Sequence, residues 1–200
     1  MPSLSKLLGG SLSLSSHQPS DTPAALQEFH VRAAPHNSKL KAVHPAGYPE
    51  TAPPLYTVAF PESSKPNVVL YRGDASPYNT IGDASVSILS STIKLNLRGQ
   101  PLALKASSSG SGKFTIQSHY GTLRWIPSEI SSSYTLKNEA GHKIAQYKSD
   151  GWTGNKRLSL FVTSDAYFVE MLLLSILAGK LQNSSALEVA SEVAGAAAGV

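Results

Sequence analysis

The side chains able to do chemistry fall into three groups in this 200-residue chain: six histidines, a scatter of lysines and arginines, and one glutamate inside an apolar run. His17, His30, His36 and His44 lie before residue 54, at intervals that fit no compact metal-binding template, and are expected to be solvated. His119 and His142 stand apart, without a Gly-x-Ser-x-Gly elbow or a His-Glu-x-x-His pair. Cysteine is absent, which excludes disulfides, thiolate ligands and Cys nucleophiles. The Ser/Gly run at 107–112 lacks the Gly-Lys-Ser/Thr ending of a phosphate-cradling loop and reads as a linker between strands. These residues designate no catalytic group, no cofactor and no obligatory metal. An enzyme with a site assembled at a barrel mouth remains a distant alternative, because triads are defined by geometry.

The basic group is more suggestive. Lys156-Arg157 follows Gly154-Asn155, and His142-Lys143 follows Gly141, so two turns each present a cationic pair. Such groups hold phosphate through charge-assisted hydrogen bonds. Trp152 stands in a glycine-flanked turn, where an exposed indole would suit a membrane interface. His142, Lys143, Lys156, Arg157 and Trp152 are therefore the candidates for a lipid headgroup. Residues 55–182 hold thirteen Lys/Arg against eight Asp/Glu, whereas the last eighteen residues hold two acids and no base. The excess is modest: it favours acidic membrane lipid or an acidic protein as partner, and no nucleic acid is expected.

The elements that would position these groups are β-strands. Ile93-Lys94-Leu95-Asn96-Leu97-Arg98 alternates apolar and polar, the pattern of a strand with one buried face. The same alternation marks strands through Leu102 and Leu104, Phe114 and Ile116, Leu123 and Trp125, Tyr134 and Leu136, and Leu158 to Val162. Less regular strands are expected at 55–60, 68–72, 84–89 and 143–147, which makes about ten. Short turns between them require antiparallel pairing. Lys94, Arg98, Lys113, Arg124 and Lys137 then fall on outer faces.

Ser164-Asp165 can cap a helix over 165–182, reading AYFVEMLLLSILAGKL from Ala166. Its polar residues Glu170, Ser175 and Lys180 share no face, so the helix needs burial on every side. A buried Glu170 needs a partner such as Arg124 or a Tyr hydroxyl. A sheet with one apolar face and a helix apolar all round are satisfied together by a closed antiparallel barrel of about 10–12 strands around a central hydrophobic C-terminal helix. The alternative sends residues 166–181 into lipid as a membrane insertion or tail anchor. Residues 1–53, rich in Ser, Pro, Ala and His, read as a disordered arm, and 183–200 as a flexible tail in which 186–194 could form a marginal helix. The lack of cysteine and of a secretory signal fits an intracellular protein, cytoplasmic or peripheral to a membrane.

The order of elements over 54–182 resembles the tubby C-terminal-like superfamily, which includes tubby, LURP-one-related and phospholipid scramblase proteins. The likeness rests on the strand series, the Trp strand Gly121-Thr122-Leu123-Arg124-Trp125-Ile126, the Asp150-Gly151-Trp152 turn, and Leu158 to Val162 running into the hydrophobic helix. It implies a twelve-stranded barrel threaded by a C-terminal helix. That is two strands more than alternation yields, to be sought at 78–89 and around Asp150. Tubby members bind phosphoinositide headgroups and scramblase-like members associate with membranes, which implies lipid binding. No scramblase-like cysteine cluster or acidic calcium run is present, and no family site transfers residue by residue. The expectation is a non-enzymatic binding or scaffold module that recognises acidic phospholipid through a basic outer surface.

Overall fold

A computed structural model describes residues 24–35, 37–61, 65–87, 89–107, 111–150 and 155–197. Twelve antiparallel strands close into one barrel. In chain order they are β1 (Gln27–Ala34), β2 (Asn37–Pro45), β3 (Tyr56–Ala59), β4 (Val68–Arg72), β5 (Thr80–Ser85) and β6 (Thr92–Leu97). They continue with β7 (Gln100–Ala106), β8 (Phe114–Ser118), β9 (Gly121–Pro127), β10 (Tyr134–Lys137), β11 (Lys143–Ser149) and β12 (Lys156–Leu160). Each strand pairs with its sequence neighbour, and β1 closes the ring by pairing with β12. The helix α1 (Ala166–Ala197) passes through the barrel, with its residues from Phe168 to Ala178 buried there.

Alternation dictates which side chains fill the barrel interior. In β6, Ile93, Leu95 and Leu97 are buried while Lys94 and Asn96 face solvent. Leu123 and Trp125 in β9 flank the exposed Arg124 in the same way, and Leu158 and Leu160 in β12 are buried. Along α1, Phe168, Val169, Leu172, Leu173 and Ile176 are buried on different sides of the helix, as its polar-poor sequence demands. Asp165 caps it, its carboxylate accepting the Phe168 amide at 2.8 Å and the Tyr120 hydroxyl at 2.8 Å. The helix enters the barrel at one rim, here the near rim, and leaves at the opposite, far rim.

The two strands that alternation did not yield are β1 and β2, and both lie in the stretch expected to be a disordered arm. The barrel thus begins at residue 27 rather than 54, and among the described residues neither 78–89 nor the surroundings of Asp150 hold an extra strand. Phe29 and Val31 alternate with Glu28, His30 and Arg32, but two inward apolar residues are too few to stand out. His30 and His44 are ladder partners on these strands rather than solvated residues. His44 is buried, with its Nε2 3.0 Å from the Ala52 carbonyl oxygen. A second correction concerns the tail: α1 continues to Ala197, where a flexible segment was expected after residue 182. The expected strand at 84–89 sits earlier, at Thr80–Ser85.

The helix is off-centre. Its closest strands are β4, β5, β6 and β7. Gly82 in β5 and Gly179 in α1 permit this approach. A Cβ at Gly82 would lie 3.3 Å from Leu174, and one at Gly179 would lie 2.9 Å from the Phe114 ring. The space left over lies on the other side, between α1 and the wall that contains β1 and β2.

Candidate functional site

At the far rim this space is a cavity of about 600 Å³. Its apolar wall includes Val31 of β1, Phe60 just after β3, Tyr147 of β11, and Leu177 and Leu181 of α1. Lys41, Lys156 and Lys180 also line it, and among the described residues none that lines it is acidic.

Strand register explains why two of these lysines face inward. Opposite residues of an antiparallel pair share a face. Lys156 pairs with Val31, and Val31 is buried inside the barrel. Lys41 pairs with Ala33, two residues from the inward Val31, and is itself two residues from buried Val43. Both therefore extend the inward rows of β12 and β2 to the rim, where the ammonium can meet solvent. Lys180 comes from the helix and lies 5.3 Å from the centre of the Tyr134 ring. Burial, and then the positive charge of Lys156, hold the Lys180 amine below the ordinary lysine range. Lys156 donates to the Ser149 hydroxyl at 2.6 Å.

The expected headgroup residues are not brought together. His142 and Lys143 lie at the near rim, whereas Lys156 and Arg157 open β12 at the far rim. Lys143 and Ser149 bound β11, and Ser149 pairs with Lys156, so the two turns are separated by roughly 20 Å at about 3.3 Å per residue. Lys143 sits 4.1 Å from the Phe161 ring centre and donates to Gln146 at 3.1 Å, while burial lowers its pKa, with Lys148 adding to the shift. His142 is exposed in a turn fixed by Asn138 Oδ1, which accepts its amide at 2.9 Å. Trp152 lies outside the described residues.

Arg157 points out of the barrel, opposite to its neighbour Lys156. Its guanidinium donates to Asp150 and lies 3.7 Å from Glu28, and His30 Nδ1 lies 2.9 Å from Asp150. Burial raises the Asp150 pKa, but the Arg157 hydrogen bond and charge and the His30 contact outweigh it, and the carboxyl is held below its usual range. This cluster fastens β1 to the β11–β12 hairpin across the barrel closure. Of the four candidates among the described residues, Lys156 alone lines the lysine-bearing cavity.

Glu170 is fully buried near the opposite rim. Arg98 grips it in a two-pronged pair, Nε to Oε2 at 2.7 Å and Nη2 to Oε1 at 2.8 Å, and Arg72 donates to Oε1 at 2.8 Å. The Tyr56 hydroxyl also bonds to it, and burial, with the Glu170 charge, pushes that phenol up to about 12. The expected Tyr partner is present, but the expected Arg124 is not, because Arg124 lies on the outer face of β9, opposite Thr115 and Lys137. Arg98, assigned to the outer surface from alternation, instead sits in the β6–β7 turn and folds back over the barrel end. The cluster locks the helix to β3, β4 and the β6–β7 turn.

The three residues weighed for catalysis have separate partners. His119 stacks beside Tyr120, with ring centres 3.9 Å apart, His142 is in its turn, and Glu170 is engaged by arginines. Among the described residues, no group of three His, Asp or Glu side chains is arranged to hold a metal ion. Of residues 166–181, which the alternative reading sends into lipid, those from Phe168 to Ala178 are buried in the barrel, and no described helix is long and apolar enough to cross a membrane. No family model, no curated protein and no solved structure matches the chain.

Proposed function

We propose that this protein is a non-enzymatic binding module that recognises the acidic headgroup of a membrane phospholipid, phosphoinositides included, at the far rim of its barrel. The observation that carries this reading is the convergence of Lys41, Lys156 and Lys180 on a cavity with apolar walls and, among the described residues, no acidic lining. Ammonium groups give phosphate charge-assisted hydrogen bonds, and each basic residue near an anionic bilayer contributes about 1 kcal/mol. The twelve-stranded barrel threaded by its C-terminal helix supports kinship with the tubby C-terminal-like proteins, whose lipid binding agrees with this reading. An intracellular setting, peripheral to a membrane, goes with it.

Cosedimentation of the full chain with phosphatidylcholine vesicles, alone or carrying phosphatidylserine or phosphatidylinositol bisphosphate, tests the proposal. Salt-sensitive binding to the acidic vesicles only is expected. Lys41→Glu and Lys156→Glu each reverse one charge and should weaken it about thirtyfold, while Lys137→Glu on β10 should not. Equal binding to neutral vesicles, or acidic binding indifferent to both rim reversals, would sink the proposal.

A further inference from the structure

The far-rim cavity has more apolar wall than a headgroup needs. A headgroup site is satisfied by cations at the surface, yet here Val31, Phe60, Leu177 and Leu181 share the lining with the lysines beside α1. The space there follows from the off-centre helix, which Gly82 and Gly179 allow to press against the opposite wall. Apolar surface that borders a ring of cations is complementary to a molecule with a hydrocarbon body and one anionic end.

The volume limits how many chains fit. A methylene occupies roughly the space of a water molecule, about 30 Å³. About 600 Å³ therefore holds one hydrocarbon chain of roughly fifteen to twenty carbons and leaves no room for a second. We infer that the cavity binds one monomeric single-chain anionic amphiphile, its hydrocarbon chain between α1 and the β1–β2 wall and its carboxylate or phosphate head at Lys41, Lys156 and Lys180. The inference rests on the reading of this rim as an anion site, and deepens it from surface contact to uptake of a lipid monomer. The cost of holding Lys180 charged in a partly buried place is relieved when an anion arrives, so the head also strengthens the charged form of that amine.

The test is calorimetric titration of the full chain with oleate and with oleoyl lysophosphatidate, each below its micelle concentration. Monoolein serves as the neutral chain and glycerol 3-phosphate as the chainless head. Saturable one-to-one binding of at least one anionic amphiphile is expected, at least about tenfold tighter than either control. Oleate alone would identify a fatty carboxylate as the source, lysophosphatidate alone a phospholipid. Ala33→Trp and Ser184→Trp place a large ring at exposed positions of the cavity lining and leave all three lysines in place. Either, confirmed as folded by circular dichroism, should weaken amphiphile binding about tenfold. Binding that neither filling variant disturbs, equal affinity for monoolein, or no saturable binding of either amphiphile would overturn the inference. Amphiphile uptake without vesicle binding would instead retire the membrane-surface reading and leave this one standing.

Discussion

Arg98 offers a perturbation whose sign depends on its partner. It occupies the first position of a two-residue turn between β6 and β7, at φ 49°, followed by Gly99 at φ 78°. Positive φ at both positions defines a type I′ turn, for which Asn-Gly is the preferred pair. A branch-free but bulky arginine in the left-handed region costs about 1 kcal/mol, and Asn relieves most of that. Against this stands the two-pronged pair with Glu170. Removing one partner of a buried pair costs about 3–5 kcal/mol. Because the Arg98 side chain is 39% exposed and Arg72 also holds the carboxylate, the cost falls to about 2–3 kcal/mol here. Arg98→Asn in the wild-type chain should therefore destabilise by about 1–2 kcal/mol. In a Glu170→Leu background the pair is already gone, and the same change should stabilise by up to about 1 kcal/mol. Urea unfolding followed by Trp fluorescence gives all four corners of this double-mutant cycle, with a coupling of about 2–3 kcal/mol expected. The reasoning fails if Arg98→Asn has the same sign in both backgrounds or the two changes add to within about 0.5 kcal/mol.

Other parts of the core give sharper readouts. Ser175 accepts the Trp125 indole N–H at 3.0 Å in a buried site, so Ser175→Ala leaves that donor without a partner and should cost about 1–3 kcal/mol in the same assay. Leu173 is wholly buried, and Leu173→Asp puts an unpaired charge in the barrel centre; loss of the cooperative transition is expected, and a soluble, cooperatively folding variant would refute the helix's role as a plug. The Lys180 pKa is lowered from 10.5 by burial, so the folded state disfavours the charged amine and stability should rise as pH climbs through the folded pKa towards the unfolded one. Lys180→Met removes that slope. It should raise the neutral-pH urea midpoint while weakening acidic-vesicle binding, and an unchanged pH profile would contradict the assigned burial.

The sequence made the barrel legible because six strands alternate apolar and polar residues cleanly and four more are rich in β-branched or aromatic residues between turn signals. β1 and β2 escaped for a physical reason: their inward rows are short, and both end in polar or small residues at the far rim. Once β12 is known to pair with β1, Phe29-His30-Val31 reads as a strand, but that pairing spans most of the chain and no local pattern announces it. Lys156-Arg157 looked like one cationic pair, yet adjacent strand residues face opposite sides, and the register sends Lys156 inward and Arg157 outward. The available clue was spacing: Lys156 stands two residues before Leu158 and Lys41 two before Val43, each in phase with a buried apolar row. Glu170 was legible as a buried charge in need of a partner. Its arginines were not, because Arg98 departs from its strand's alternation at the very residue where the chain turns.

The two charged features on α1 answer different needs, and their contrast argues for the far rim as the site of function. Glu170 meets two guanidinium groups and a phenol, so its charge is neutralised within the fold. Lys180, ten residues on and nearly three turns along the helix, meets an aromatic ring and another lysine across a cavity. A fold selected only for stability gains nothing by adding Lys41 and Lys156 to the inward rows beside it, since each like charge raises the cost of the others. Partly buried cations gathered around an apolar space are stable in company with an anion, and none of the described residues that line it supplies one.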